Sequence, residues 1–263
     1  MNPPQIIFLD TTVQIQRSLA DPAQSAKLEA LLSAATIKAI TAPYVWMEYQ
    51  RTIIADYAYI HQLMYRYADW GTLLLHLLDG PHAFRLQAAV RCTRIVGKVL
   101  KQSNLDWELA RQMLGVQVAY SLRDHFWTHV TSVADSIDCT LVREGITRQP
   151  DGTFAVAHSC SRETASCHLP DFLTEHKQEL QTIAEYLAAH PQAIKDQERV
   201  EALLQTVMAD PAASLGQASC WPLGDIIIAL HVPAEAELWT LDPDFKALAA
   251  ALGLRLFSTK PRT

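Results

Sequence analysis

Residues 6–12, IIFLDTT, and residues 238–245, LWTLDPDF, lie at opposite ends of the chain and decide its fold. Each begins as an apolar run of strand length and then reaches an aspartate, Asp10 or Asp242. In a parallel α/β sheet such runs are central strands, and ligands and catalytic groups collect just beyond their carboxyl ends. The two stretches therefore predict a parallel sheet with an acidic site at its carboxyl edge.

Length and composition favour a packed globular protein. The chain has 263 residues, of which 49% are hydrophobic and 19% charged, and its net charge is −6. That charge gives no general attraction to nucleic acid, so any such binding needs a local basic patch. No apolar stretch reaches the roughly 20 residues of a membrane span, and the chain does not start with a signal-peptide pattern, so we expect a cytoplasmic protein without membrane contact. The odd count of five cysteines argues against a disulfide framework.

Strand and helix patterns alternate at both ends of the chain but not in the middle. Residues 51–136 have mainly helical spacing, residues 139–160 are typical of a β-hairpin around a Pro-Asp-Gly turn, and two further helices follow. We therefore predict an α/β domain, a parallel sheet flanked by helices, formed by residues 1–55 and 212–263. A mainly helical insertion, residues 56–211, interrupts this domain and carries the small hairpin.

Acids occupy positions that such a split domain would bring together. Asp10 ends the first strand, Glu48 lies one turn into the helix after the second strand, Asp225 begins a helix, and Asp242 ends the next strand with Asp244 close behind. Three or four carboxylates at one sheet edge repel one another too strongly to stay ionised without a cation. Mg²⁺ or Mn²⁺ is the natural partner, because these hard ions take oxygen ligands and activate water for attack on phosphorus.

The order and context of these acids resemble the PIN-domain ribonuclease family. The resemblance rests on Asp10-Thr11 after the first strand, APYVWME at 42–48, DIIIA at 225–229 and TLDPDF at 240–245, followed by a helix and a Gly-Leu-Arg-Leu strand. It covers only the two ends of the chain. The family usually has its second and third acids much closer together in sequence than Glu48 and Asp225 are, so Asp56 is the alternative second acid.

The resemblance implies metal-dependent hydrolysis of RNA phosphodiester bonds by a toxin-like or RNA-processing endonuclease. The implied catalytic residues are Asp10, Glu48, Asp225 and Asp242, and the implied metal ligands are Asp10, Asp225, Asp242 and Asp244. Thr11 and Thr240 would support them by hydrogen-bonding a carboxylate or phosphate. RNA is the implied substrate, and a neutralising or regulatory protein partner and a homodimer are further expectations.

A second interpretation keeps the PIN-like scaffold but removes the catalysis. Asp242 followed by Pro243 is also a favourable start for a helix, and Asp225 can be interpreted as a helix cap in the same way. In that case the chain would be a binding or regulatory module for nucleic acid or protein, with its acids serving as caps or holding a structural ion. Asp10 fits this interpretation less well, because an acid directly after a buried apolar strand is costly without a partner.

An acid-free segment, residues 82–102, carries a group of cations: Arg85, Arg91, Arg94, Lys98 and Lys101. The last four follow a spacing of three, four and three, which places them on one face of a helix. On an acidic protein this stripe predicts a local surface that binds RNA phosphates. A solvated helix face is the alternative.

A second metal hypothesis concerns Cys139, Cys160, Cys167 and His168. If the hairpin pairs around residues 149–150, Cys139 lies opposite Cys160, and Cys167 with His168 would close a tetrahedral site for structural Zn²⁺. The alternatives are free thiols in a packed lobe and a disulfide between Cys139 and Cys160.

Overall fold

The computed structural model describes residues 3–79, 86–133, 136–139, 141–142, 145–156, 160 and 167–258. Within these residues the chain forms an α/β fold with a five-stranded parallel sheet in the order β3-β2-β1-β6-β7 and a separate antiparallel hairpin. The strands are β1 (Gln5–Leu9), β2 (Ile37–Thr41), β3 (Val130–Ser132), β4 (Ile146–Arg148), β5 (Phe154–Val156), β6 (Glu237–Trp239) and β7 (Arg255–Leu256).

Helices flank this sheet and fill the middle of the chain. The α-helices are α1 (Thr11–Leu19), α2 (Pro22–Leu32), α3 (Pro43–Tyr49), α4 (Ala55–Arg66), α5 (Trp70–Asp79), α6 (Leu86–Gln102), α7 (Trp107–Val116), α8 (Leu122–Trp127), α9 (Leu169–Glu175), α10 (Lys177–Ala189), α11 (Gln197–Ala209), α12 (Gln217–Cys220), α13 (Gly224–Leu230) and α14 (Phe245–Leu252). Gln50–Ile54 and Gln117–Ser121 are π-helical, and Pro211–Ser214 and Trp221–Leu223 are 3₁₀ turns. No helix of the described residues is long and apolar enough to cross a membrane.

The central strand β1 fixes the position of the site. Ile7, Phe8 and Leu9 are fully buried, and they alternate between the cores on the two faces of the sheet. The carboxyl ends of neighbouring strands lie side by side, because Thr41 Oγ1 donates a hydrogen bond to the Leu9 carbonyl (2.7 Å) and the Asp10 amide donates to the Trp239 carbonyl (3.1 Å). The predicted meeting of the two terminal strand motifs at one sheet edge is confirmed.

The middle of the chain is mainly helical and carries the predicted hairpin, but two details differ from the prediction. Within residues 51–136, Val130–Ser132 is not helical but forms β3, which pairs in parallel with β2. The hairpin pairs Arg148 with Phe154 rather than turning around residues 149–150, and its ladder ends at Ile146 opposite Val156. Cys139 and Cys160 are therefore not opposed across the hairpin ladder.

The helix that carries Glu48 is longer than its first segment. Pro43 occupies the first turn, where its fixed backbone angle favours helix initiation. The helix then continues through the π-helical residues Gln50–Ile54 into α4 without an intervening loop. It crosses the predicted domain boundary at residue 55 as one continuous element, so its start contributes to the sheet edge and its remainder packs in the helical middle.

Candidate active site

Asp10 and Thr240 join the two terminal motifs at the carboxyl edge of the sheet. Asp10 is 1% exposed, and its Oδ2 accepts hydrogen bonds from Thr12 Oγ1 (2.6 Å) and Thr240 Oγ1 (2.5 Å). The Leu241 amide donates to Thr12 Oγ1 (2.9 Å), which ties the same two segments a second time. A buried carboxylate needs such donors because it has lost its water.

Glu48 is held between the segments that carry Asp10 and Asp225. Its Oε2 accepts a hydrogen bond from Thr11 Oγ1 (2.8 Å), and its Oε1 accepts one from Arg51 Nη2 (3.1 Å). A Cβ atom at Gly224 would lie 2.5 Å from Glu48 Oε1, so a glycine is required for this close approach. The predicted supporting role of Thr11, hydrogen-bonding a carboxylate, matches this geometry.

Asp225 lies in the first turn of α13, directly after Gly224. Its pKa is raised to about 8, mainly by burial and further by the negative charges of Glu48, Asp10, Asp242 and Asp244. Asp225 makes no capping hydrogen bond, and the helix begins from Leu223 instead. The structure therefore gives Asp225 no capping role.

Burial and neighbouring charge also shift the other two buried acids. The pKa of Asp10 is raised to about 6 by burial, although the hydrogen bonds from Thr12 and Thr240 oppose the shift, and the charge of Glu48 adds to it. The pKa of Glu48 is raised by burial and by the charge of Asp242, against the lowering effects of Arg51 and Thr11. We call Asp10, Glu48, Asp225, Asp242 and Asp244 the acid cluster.

Asp242 and Asp244 bind backbone amides at the outer side of the acid cluster. Asp242 Oδ1 accepts a hydrogen bond from the Asp244 amide (3.0 Å), and Asp244 Oδ2 accepts one from the Lys195 amide (3.1 Å). The helix α14 begins only at Phe245, so Pro243 is not its first residue as the sequence suggested. Asp242 thus shapes the turn before the helix, while its charge raises the pKa values of Glu48 and Asp225.

The acids of this cluster are neighbours, but they do not form a preformed cage. Among the described residues, no three His, Cys, Asp or Glu side chains are arranged to hold a metal ion. Each of Asp10, Glu48 and Asp244 instead accepts hydrogen bonds from hydroxyl, guanidinium or amide donors. Chemically, an all-oxygen donor set with unrelieved mutual repulsion fits a hard divalent cation. The metal-ligand roles stay a prediction.

A cavity of about 430 Å³ opens beside Asp225 and Asp244, and cationic residues line it as well. These are Arg51, Lys195 and Arg199, with Trp221 beside them. The Arg51 guanidinium carbon lies 4.2 Å from the centre of the Trp221 ring, and Arg51 Nη1 is buried without a hydrogen-bond partner among the described residues. Sequence reasoning missed these residues, although the spacing of Arg51 three positions after Glu48 was a usable signal for an ion pair.

The predicted basic stripe is only partly available for binding. Arg91 forms a short ion pair with the buried Asp56, and Lys98 Nζ donates to the Ser18 carbonyl (2.8 Å). Arg94 and Lys101 are exposed on α6, while Arg85 lies outside the described residues. RNA binding by this stripe stays a prediction. This ion pair also engages Asp56, the alternative second acid, which therefore does not belong to the acid cluster.

The proposed zinc ligands lie near one another without forming a site. The pKa of Cys139 is raised to about 11, chiefly by burial, and the nearby thiols of Cys167 and Cys160 contribute. None of the five cysteines forms a disulfide, so Cys139 and Cys160 are not bridged. His168 Nδ1 lies 3.2 Å from Asp171 Oδ2. Structural zinc therefore stays a prediction.

The chain has no significant match among protein-family models, curated proteins or solved structures. Its function has to be argued from the side chains at the sheet edge.

Proposed function

We propose that this chain is a metal-dependent endoribonuclease with a PIN-like active site, which hydrolyses RNA phosphodiester bonds. The observation that carries the proposal is the meeting of five carboxyl groups from four separate segments at the carboxyl edge of a parallel sheet. Asp10 follows β1, Glu48 lies in α3, Asp225 begins α13, and Asp242 and Asp244 follow β6. Ligands and catalytic groups characteristically collect at this edge of such sheets.

The chemistry of the acid cluster supports Mg²⁺ or Mn²⁺ as its cofactor. Asp10, Asp225, Asp242 and Asp244 would hold the ion, since carboxylate oxygens are the ligands that these hard cations prefer. The pKa of Asp225 is raised to about 8 mainly by burial and further by repulsion from the neighbouring carboxylates, and a bound cation would relieve that repulsion. When bound, such an ion lowers the pKa of a water molecule and stabilises charge on the phosphate.

The protein's own side chains account for binding and proton transfer. Arg51 Nη1 has no hydrogen-bond partner and lies beside Glu48, so we assign it to an oxygen of the substrate phosphate. Burial raises the pKa of Glu48, which suits this carboxylate for accepting a proton from the attacking water. Thr11 and Thr240 keep the carboxylates of Glu48 and Asp10 in place.

The mixed charge of the neighbouring cavity supports a polyanionic substrate. Lys195 and Arg199 line the cavity together with Asp225 and Asp244, so cations lie next to the acids rather than in a separate patch. A phosphodiester strand needs this combination, because its phosphates require cations on either side of the position where the acids act. A neutral substrate would not require the cations.

The alternative is a PIN-like module that binds nucleic acid or protein without cutting. Two observations favour it: Arg51 is engaged in an ion pair with Glu48 (3.1 Å), and the acids in the described residues do not form a preformed metal cage. In that case the acid cluster would be held by internal donors throughout, and no cation would be needed.

Cleavage assays separate the two functions. Labelled single-stranded and structured RNAs are incubated with Mn²⁺, Mg²⁺ or EDTA, using the wild type, Asp10→Asn and Asp225→Asn. Asp171→Asn serves as the control, because Asp171 is an exposed acid outside the acid cluster. We expect metal-dependent cutting that falls at least about 100-fold in the two cluster variants and not in the control, a loss of the size produced by disturbing metal shells. No cutting by folded wild type would favour the binding module.

A further inference from the structure

A groove runs between the β4–β5 hairpin and the helical segment from α7 to α8, and none of the described residues that line it lines the cavity beside the acid cluster. It consists of two pockets of about 340 and 360 Å³. Both pockets are lined by Tyr120, Arg148 and Phe154, so they adjoin one another. Each is within the size range of sites for small organic ligands.

Arginines give this groove a local positive charge. Arg123 lines one pocket, Arg111 the other, and Arg148 both, while no acid is found among the described residues that line them. Arg111 forms an ion pair with Glu108 (2.6 Å). Arg123 and Arg148 are exposed, and neither forms an ion pair with a described residue. On a chain with a net charge of −6, such a patch is the local feature that binding of a polyanion requires. We call this surface the arginine groove.

Exposed aromatic side chains lie among these arginines. Tyr120 is 64% exposed and Tyr65 is 46% exposed, and each lines the arginine groove. The Arg111 guanidinium carbon lies 4.5 Å from the centre of the Tyr65 ring, so the cation and the aromatic face form one surface. Large aromatic rings exposed to water next to arginines are typical of surfaces on which the bases of a single strand stack.

Two local features indicate that the groove is adapted for a ligand. Tyr120 belongs to the π-helical turn Gln117–Ser121, a rare backbone form that often marks functional sites. His61 lines the pocket that contains Arg111, is 3% exposed, and has a buried Nδ1 without a hydrogen-bond partner. Burial and the charges of Arg111 and Arg148 lower the pKa of His61 to about 4, so its ring is neutral at physiological pH.

We propose that the arginine groove binds single-stranded nucleic acid, with unpaired bases in its two pockets and Arg148 at the phosphate between them. Separate pockets suit unpaired bases, whereas a duplex keeps its bases stacked inside and would contact only the rim. An acidic peptide would use the arginines but would leave the exposed rings of Tyr65 and Tyr120 without a stacking partner. The inference does not rest on the proposed nuclease activity, because the groove and the acid cluster are built from different residues.

Binding of a fluorescent RNA or DNA strand of about ten nucleotides, within the usual site sizes of such proteins, tests the proposal by anisotropy. EDTA is present throughout, so metal-dependent cleavage does not interfere. Arg148→Ala, Arg123→Ala and Tyr120→Leu change exposed side chains, and circular dichroism checks that each variant folds. Lys177→Ala is the control, because it removes an exposed cation outside the groove.

We expect Arg148→Ala and Arg123→Ala each to weaken binding about 5- to 50-fold. Each should also reduce the slope of the logarithm of affinity against the logarithm of salt concentration by about one. Tyr120→Leu should weaken binding about 5- to 50-fold without changing the salt dependence, because stacking involves no counterion. The Lys177→Ala variant should bind as the wild type does. Unchanged binding in both Arg148→Ala and Arg123→Ala, preference for duplex, or equal competition by polyglutamate would overturn the proposal.

Discussion

Thr240 Oγ1 donates a 2.5 Å hydrogen bond to Asp10 Oδ2, which joins two motifs from opposite ends of the chain at one buried carboxylate. Asp10 ends the central strand, so its side chain is fixed by the sheet, whereas Thr240 follows β6 and carries Asp242 and Asp244 behind it. The bond therefore positions one part of the acid cluster relative to the other. Its removal should affect both stability and the site.

Thr240→Val removes this hydroxyl while keeping the shape of the side chain. We expect the free energy of unfolding at pH 7 to fall by about 1–2 kcal/mol, because a buried carboxylate loses one of its donors. Urea denaturation of the metal-free protein measures this. Thr174→Val is the control, since Thr174 is exposed and its hydroxyl bonds the Pro170 carbonyl within its own helix. Equal stability of the two variants would show that the Thr240 bond contributes little.

Asp225 should make the metal-free protein less stable as the pH rises. Its pKa is about 8 in the folded chain against an ordinary 3.8, so folding favours its protonated form. That contribution is fully present below about pH 4 and is lost progressively up to about pH 8. Asp225→Asn lacks this loss, and the variant should therefore gain stability relative to the wild type between pH 5 and pH 8.5, by about 1–2 kcal/mol after allowance for partial exposure.

Thermal unfolding at several pH values in EDTA measures this difference. Asp171→Asn again serves as the control, because Asp171 is largely exposed. A constant difference between Asp225→Asn and the wild type across this pH range would contradict a repelled, buried Asp225.

Divalent cations should reverse this pH dependence. If the acid cluster binds Mn²⁺ or Mg²⁺, the gain in melting temperature should be larger at pH 8 than at pH 6, since protons compete with the metal for the carboxylates. Asp225→Asn should lose most of the gain. Ca²⁺ and an equal ionic strength of NaCl distinguish specific binding from screening. A uniform shift in all variants would indicate weak binding elsewhere on this acidic chain.

Gly224 tests the contact that places Glu48 next to Asp225. Gly224→Ala would put a Cβ atom 2.5 Å from Glu48 Oε1, so the carboxylate has to move, and we expect a loss of about 1–3 kcal/mol in stability together with weaker cleavage. Gly97→Ala is the matched control, because nothing lies within 4 Å of the added atom in the middle of α6. That variant should be more stable by about 0.5–1 kcal/mol.

The ends of the central strands were predictable, because an apolar run that stops at an acid can be recognised from the sequence without tertiary information. Asp10 and Asp242 follow from that pattern, and so does the parallel sheet. The strand Val130–Ser132 could not be predicted in this way. A strand of only three residues directly after an amphipathic helix is too short to show the alternation of apolar and polar residues that identifies a strand. The stripe from Arg91 to Lys101 does lie on a helix, yet only packing determines that Arg91 turns to Asp56 and Lys98 to the Ser18 carbonyl. Which group a long cationic side chain bonds is therefore decided by tertiary packing and not by its position in the sequence.

Substitution of Arg51 tests whether the chain is a nuclease or a binding module, because Arg51 forms an ion pair with Glu48, packs on Trp221 and lines the cavity. Arg51→Met removes its charge but retains much of its apolar contact with Trp221. Without the guanidinium the pKa of Glu48 should rise further, since Arg51 is the largest influence that lowers it. If Glu48 acts as the base, the acidic limb of the pH profile of kcat should then move to higher pH.

Arg199→Met is the comparison for Arg51, because Arg199 lines the same cavity and no hydrogen bond or ion pair joins it to a carboxylate among the described residues. We expect Arg199→Met to raise KM with little effect on the pH profile, since it would lose only attraction for the strand. Arg51→Met should lower kcat as well. If both variants change KM alone, Glu48 does not take part in proton transfer, and Arg51 acts on the substrate only through its charge.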